Sequence, residues 1–179
     1  MGQVLVTGGC GFIGSHLVAG LLARGDQVRV LDNLSSGKRD NLPADALRLE
    51  LLVGDLRDPD LVARACRDVE EIFHQGAIPS VGRSIDAPAE TFAVNVAGTH
   101  SLLLAAREAG VRRVVLASSS SVYGPGETLP KMESQAPQPI SPYAAQKLAG
   151  EQLALSFSHC YPLEAVALRY FNVYGPRQP

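Results

Sequence analysis

The sequence predicts an α/β fold, a parallel sheet wound with helices on both faces. Short apolar runs of strand length alternate with stretches of helical periodicity along the 179 residues, the pattern left by right-handed strand–helix–strand crossovers. A glycine-rich turn, Gly8 to Gly14, stands between the first run and the first helix. The composition, 46% hydrophobic and 19% charged, suits one globular domain, because a chain of this length buries roughly 70% of its unfolded surface.

Gln3 to Thr7 is a short apolar run that stops at glycines and reads as a buried strand. From Phe12 to Arg24 the residues Ile13, Leu17, Val18, Leu21 and Leu22 recur at helical spacing, and Gly25 closes the pattern. Gln27 to Leu31 is a second strand, halted by Asp32-Asn33. Arg48 to Val53 is a third, after which Asp58-Pro59 opens a helix to about Cys66. Val69 to His74 is a fourth strand. A long helical stretch covers roughly Glu90 to Ala109 and ends at Gly110. Val111 to Ala117 is the fifth strand, Tyr143 to about Ser158 a helix, and Leu163 to Arg169 the sixth strand. The segment Gly124 to Pro142 holds five prolines and reads either as an ordered active-site loop or as a plain connector.

Sixteen basic residues against eighteen acidic ones give a net charge of −2. That leaves no basic surplus to hold a nucleic-acid backbone or a membrane surface. Met1-Gly2-Gln3-Val4 lacks the charged start and apolar run of a signal peptide, and no window has the length of a membrane span. The three cysteines, Cys10, Cys66 and Cys160, are scattered. They form neither a metal-type spacing nor a disulfide framework, and read as free thiols in a reducing compartment. The expectation is a soluble cytoplasmic domain without a metal site and without nucleic-acid or membrane partners.

In a parallel α/β sheet, ligands sit beyond the carboxyl ends of the strands. After the first strand comes Thr7-Gly8-Gly9-Cys10-Gly11-Phe12-Ile13-Gly14, which fits G-x-G-x-x-G through Gly9, Gly11 and Gly14, and G-x-x-G-x-x-G through Gly8, Gly11 and Gly14. Such glycines let the backbone approach a pyrophosphate at the positive end of the following helix. Asp32 lies 21 residues after Gly11, where a carboxylate would accept from adenosine ribose hydroxyls. It would also repel a 2′-phosphate, favouring NAD over NADP, although Lys38 and Arg39 leave NADP open. The competing reading of Asp32 is a turn cap. In Gly54-Asp55-Leu56, Asp55 either meets the adenine edge or caps the next helix. In His74-Gln75-Gly76-Ala77 the small residues would let backbone pass close to a cofactor, while His74, without an acid partner, reads as a packing histidine. Beyond the fifth strand stand Ser118 to Ser121 and later Tyr143-Ala144-Ala145-Gln146-Lys147. Tyrosine and lysine four apart share one helix face. Lowering a tyrosine pKa from about 10 to about 7 takes roughly 4 kcal/mol, which a neighbouring ammonium and a cationic nicotinamide could supply. A serine hydroxyl at the strand end would hold a substrate oxygen for proton transfer.

Together these residues resemble the extended short-chain dehydrogenase/reductase family, in particular its nucleotide-sugar 4-epimerases. The matching stretches are Thr7 to Gly14, Asp32 to Gly37, Gly54 to Leu56, Asn95 to Thr99, the serine run, Ser141 to Lys147, and Arg169 to Gly175. The resemblance implies a Rossmann-type doubly wound sheet, a tightly held NAD and a UDP-sugar substrate. By this resemblance Tyr143, as phenolate, takes the proton of the sugar C4 hydroxyl while hydride passes to NAD. Ser119 orients that oxygen, and Lys147 binds the nicotinamide ribose and depresses the tyrosine pKa. The 4-keto sugar then turns over and receives hydride on its other face. On the cofactor side the resemblance puts Gly8, Gly11, Phe12, Ile13, Gly14, Asp32, Asn33, Ser36 and Gly37. It adds Asp55, Leu56, Gln75, Gly76, Ala77, Asn95 and Tyr170, together with Tyr143 and Lys147. Ser80, Ser119, Ser120, Tyr143 and Asn172 fall on the substrate side.

Dehydratases of this family carry an Asp-Glu pair where this chain has Ser120 and Ser121, and UDP-glucuronate decarboxylases usually have Glu at the place of Ser121. Leu129 to Glu133, with Ser158 to Tyr161, look most like the UDP-N-acetylglucosamine/UDP-glucose epimerase branch. A related dehydratase, reductase, UDP-glucuronate epimerase or decarboxylase, and a non-catalytic NAD-binding module, are the alternatives. Glu127 and Glu133 read as solvated loop carboxylates. Family members continue into a C-terminal lobe that closes over the sugar, whereas this sequence stops at Arg177-Gln178-Pro179. The expectation is one NAD-binding domain, residues 1–179, carrying Ser119, Tyr143 and Lys147 without the sugar-binding lobe. An open cleft, an uncovered sheet edge or face and poor turnover by the piece alone would follow. The resemblance also implies a homodimer in the full-length enzyme, formed through the two long helices.

Overall fold

In the computed structural model, residues 2–44, 47–126 and 129–178 are described; Glu127 lies outside them. Six parallel strands form one sheet: β1 Gln3–Thr7, β2 Gln27–Asp32, β3 Leu49–Val53, β4 Val69–His74, β5 Arg113–Ser119 and β6 Glu164–Tyr170. Their spatial order is β3-β2-β1-β4-β5-β6. The chain winds outward from β1 in one direction, then returns to β4 and winds the other way. This leaves a crevice between the carboxyl ends of β1 and β4, where such sheets hold their ligands.

The helices are α1 Phe12–Arg24, α2 Pro59–Ala65, α3 Val81–Asp86, α4 Pro88–Phe92, α5 Thr99–Glu108 and α6 Pro142–Cys160. Ala93–Gly98 is wound as a π-helix and joins α4 to α5 without a break. The expected long helix from Glu90 is therefore three consecutive pieces. Gly25 ends α1 in the left-handed region, φ 98°, with its N–H returned to the last turn.

Alternation along the strands makes two cores. Val4, Val6, Val28 and Val30 face α1 and pack on Val18 and Leu21. Leu5, Leu31, Ile72, Val114 and Leu116 face the other way, onto α2, α5 and α6 through Val62, Leu102, Leu103 and Ala154. The expected uncovered surface lies at the β6 edge on the α1 side, where Val166 and Leu168 stand 42% and 41% exposed. Cys10 and Cys66 are buried and Cys160 is exposed, all as free thiols. Burial pushes the first two up to about 11 and about 12, so they are chemically quiet. No described helix is long and apolar enough to cross a membrane.

Candidate active site

A cleft of about 850 Å³ opens at the carboxyl ends of the strands, between the turn after β1 and the start of α6. Its floor is the glycine turn. Gly8 adopts φ +67°, and a Cβ there would lie 2.8 Å from the backbone nitrogen of Gly76. This close approach joins the turns after β1 and β4. A Cβ on Gly14 would lie 2.1 Å from the Gly8 carbonyl oxygen, so the first turn of α1 presses directly on the loop before it. Among the described residues, no side chain caps α1 and no acidic residue stands in its first turn. In contrast, Asp58, Ser80 and Ser141 cap α2, α3 and α6. The backbone N–H groups at the start of α1 thus face the cleft without a side-chain acceptor, which fits an anion such as a pyrophosphate.

Asp32 ends β2 beside this turn. Its Oδ2 accepts from Cys10 N at 2.9 Å and its Oδ1 from Leu34 N at 2.8 Å. The turn-cap reading and the cleft reading therefore coexist, since a carboxylate oxygen can accept more than one hydrogen bond. Asp55 faces Asn33, whose amide donates to it at 2.8 Å, and forms an ion pair with Arg57. Arg57 above all holds the Asp55 carboxyl well below the usual range, while burial opposes this. Asp58, rather than Asp55, caps α2.

At the opposite wall, Ser119 ends β5. Its Oγ accepts from Ser121 twice, from the backbone N–H at 3.2 Å and from the hydroxyl at 2.8 Å. With both lone pairs engaged, the Ser119 hydroxyl is left to donate its proton into the cleft. The sequence marks Ser121 only as a position without acid chemistry; its contact with Ser119 arises where the turn Ser120–Tyr123 folds back.

Tyr143 and Lys147 project from the first turns of α6, with the Lys147 Nζ 5.9 Å from the tyrosine ring centroid. The expected lowering of the phenol is absent from this arrangement. Burial raises the Tyr143 pKa above 10, and the Ser119 hydroxyl opposes the shift only in part. Lys147 Nζ instead donates to the Ala117 carbonyl at 2.9 Å. Burial in turn brings Lys147 down to about 8.

The cleft brings together nearly all the residues singled out in the sequence. Gly8, Gly11, Phe12, Ile13 and Gly14 line it with Asp32, Asn33, Ser36 and Gly37; so do Asp55, Leu56, Gln75, Gly76 and Ala77. Ser119, Tyr143, Lys147, Tyr170 and Asn172 complete it. Three others stay outside. Ser80 caps α3, its Oγ accepting from Arg83 N. Ser120 opens the turn after β5 and does not reach the lining. Asn95 faces inward from the π segment: its Oδ1 accepts from Ile78 N at 2.8 Å and its Nδ2 donates to Ile78 O and to Gln146 Oε1. It thereby holds Ile78, which lines the cleft. None of the described residues of the proline-rich segment lines the cleft. The segment is pinned where Gln138 N donates to Val122 O, and Glu133 on it is exposed.

His74 is the centre of a buried chain of hydrogen bonds. Thr7 Oγ1 accepts from Gly76 N and lies 2.7 Å from His74 Nδ1; Thr99 Oγ1 lies 2.9 Å from Nε2 and donates to Asn95 O at 2.7 Å. Because the Thr99 proton is spent on Asn95, Nε2 must carry hydrogen and Nδ1 must accept from Thr7. Burial, then the Lys147 charge, lowers His74 to about 3. It is a neutral packing histidine under the turn after β4.

Residues 4–179 match the model of the NAD dependent epimerase/dehydratase family. The UDP-glucose 4-epimerase of Mycolicibacterium smegmatis is 46% identical over 180 residues, covering 98% of this chain and 58% of that protein. The crystal structure of Thermus thermophilus UDP-glucose 4-epimerase complexed with NAD superimposes with a TM-score of 0.93 at 46% identity, over 99% of this chain and 57% of that one. The UDP-N-acetylglucosamine 4-epimerase of Methanobrevibacter ruminantium, in complex with UDP-N-acetylmuramic acid, gives 0.96 at 41% identity with the same coverage. The chain thus spans rather less than three fifths of the length of each. With a family match over almost every residue and the same winding at this level of identity, the chain belongs to the NAD-dependent epimerase/dehydratase family.

Proposed function

We propose that this chain forms the cofactor-binding part of a cytoplasmic, NAD-dependent nucleotide-sugar 4-epimerase that inverts C4 of a UDP-sugar through a transient 4-keto sugar. The observation that carries the reading is the convergence of Ser119, Tyr143 and Lys147 on one cleft with an uncapped, glycine-rich helix start. NAD, when bound, supplies the hydride acceptor and donor. The turn Gly8 to Gly14 and the open N–H groups of α1 would hold its pyrophosphate, and Asp32 its adenosine ribose, where the carboxylate disfavours a 2′-phosphate.

The chain's own chemistry is proton handling. Ser119 donates to the C4 oxygen and fixes it beside Tyr143, whose phenolate removes the hydroxyl proton. The buried phenol is protonated as it stands, so ionisation calls for positive charge close to it, and Lys147 is the cation within reach. Serines at positions 120 and 121 give no acid–base pair for eliminating water, which is why a dehydratase is the weaker reading. We also propose that the complete protein pairs two copies through the α4–α5 stretch and α6, on which Phe92 and Leu155 stand exposed. The net charge of −2 accords with a partner set free of nucleic acid and membrane.

The test is interconversion of UDP-glucose and UDP-galactose by the protein at its natural length, followed chromatographically. Tyr143→Phe is expected to lower kcat about a thousandfold, the scale of a lost general base, while calorimetry shows NAD still bound. Turnover that survives the substitution would remove the catalytic assignment.

A further inference from the structure

We infer that Glu151 and Arg169 are a positioning pair that holds the three elements supplying the reacting groups, β5, α6 and β6, in one fixed relation. This rests on the catalytic reading proposed above. Glu151 lies on α6 one turn beyond Lys147 and two beyond Tyr143, is 2% exposed, and touches neither the cleft nor solvent. Its carboxylate makes three contacts. It accepts from the hydroxyl of Ser118, the residue before Ser119 on β5. It also accepts from Arg169 on β6 twice, from Nε at 3.0 Å and Nη2 at 2.9 Å.

Arg169 extends the grip. Its guanidinium lies 4.6 Å above the ring of Tyr123, at the end of the turn that carries Ser121. Tyr170 follows it directly, and the Tyr170 hydroxyl meets the Gln75 amide at the cleft. Among the described residues β6 has a strand neighbour on one side only, and the ion pair ties its carboxyl end to α6. A buried carboxylate thereby joins Ser119, Tyr143 and Lys147, and Tyr170 through their own backbones.

A buried ion pair is poor evidence of a device for stability, because apolar residues of similar volume commonly hold a fold as well. What charge and forked geometry add is direction. A bidentate arginine fixes both distance and orientation, and misplacing reacting groups by about 1 Å can cost on the order of a hundredfold.

The experiment compares Glu151→Gln, Arg169→Lys and the size-matched apolar pair Glu151→Leu with Arg169→Met, in the protein at its natural length. In the two single variants, kcat is expected to fall about 10- to 100-fold with KM for the UDP-sugar changed less than about threefold. In the apolar pair, thermal stability is expected to return to near that of the unmodified protein while kcat stays depressed. A pair that restores kcat along with stability, or single variants within about twofold of normal kcat, would overturn the inference. A second readout needs no turnover: the Lys147 side-chain resonance, assigned with Lys147→Met and titrated by NMR. Positioning predicts that the midpoint in Glu151→Leu with Arg169→Met, which leaves the net charge unchanged, moves from about 8 toward the ordinary lysine value. An unmoved midpoint overturns it. Absence of UDP-sugar turnover in the unmodified protein would remove the catalytic reading instead, and the Lys147 titration would then decide whether the pair positions α6.

Discussion

At Ser119 the direction of a hydroxyl proton is set by a neighbour two residues away. Ser121 fills both acceptor positions of Ser119 Oγ, and Ser121→Ala removes one of the two donors. A hydrogen bond of this kind contributes about 0.5–1.5 kcal/mol, so kcat is expected to fall roughly two- to thirteenfold at unchanged KM. Unchanged kcat would show that the backbone N–H alone directs the hydroxyl. His74 makes a second residue-scale prediction, this one about pH. Its pKa falls from 6.5 to about 3 on folding, so between those values the unfolded chain binds a proton that the native chain does not. The contribution is complete above pH 6.5 and is lost as pH falls toward 3, by up to roughly 1.4 kcal/mol per pH unit. Urea midpoints measured from about pH 7.5 to pH 5, above the carboxylate range, should therefore fall in the native protein. In His74→Gln that slope should flatten, although the variant starts from lower stability. An equal slope in both proteins would place the proton elsewhere.

At the scale of elements, α1 shows how differently one residue type behaves along a single helix. A Cβ on Gly14 would meet the Gly8 carbonyl oxygen at 2.1 Å, whereas one on Gly20 would meet nothing within 4 Å. Gly20→Ala is expected to stabilise by about 0.5–1 kcal/mol through helix propensity. Gly14→Ala forces the turn away from α1, and its expected outcome is loss of saturable NAD binding by calorimetry together with a lower Tm. Equal effects of the two substitutions would contradict the packing described for the turn. Both helix ends of α1 and the limits of β1 and β4 were legible in the sequence, because each is bounded by glycine or by a clear change of period. The fifth strand was not placed so well. Expected over Val111 to Ala117, it is paired from Arg113 to Ser119, because β6 supplies partners as far as Ser119 opposite Tyr170, and a partner strand is not readable locally. α3 is six residues long, too short for a period to declare itself. The π segment carries Asn95, which is bonded to Ile78 and Gln146, contacts distant in sequence. The cleft was more legible than the network behind it: glycines, acid, tyrosine and lysine follow strands at telling intervals. Glu151 and Gln146, by contrast, look like ordinary polar positions of an amphipathic helix until the strands beneath them are known.

The whole molecule is unequal on its two sides, and that inequality bears on how copies of the chain would meet. One side of the sheet is covered by α2, α5 and α6; on the other, among the described residues, α1 packs over β1 and β2. Phe73, Val115, Val166 and Leu168 share that second face by strand register, and a groove of about 570 Å³ runs beside them between α1 and residues 173–176. A contiguous apolar surface of this kind drives association when nothing covers it, and β6 adds an open strand edge. The 179-residue chain in isolation is therefore expected to self-associate through this face, with a sedimentation coefficient that rises with concentration. Val166→Lys combined with Leu168→Thr should remove that rise without altering the far-UV circular dichroism, since both side chains already stand about two fifths exposed. The helix pairing proposed for the complete protein uses a different surface, so Phe92→Glu separates the two. If Phe92→Glu alone abolishes association, the helices dominate even in the isolated chain and the sheet face is too small to hold two copies. If the β6 substitutions alone abolish it, the isolated chain associates through a surface distinct from the one that pairs the complete protein, and its oligomeric state carries no information about that pairing.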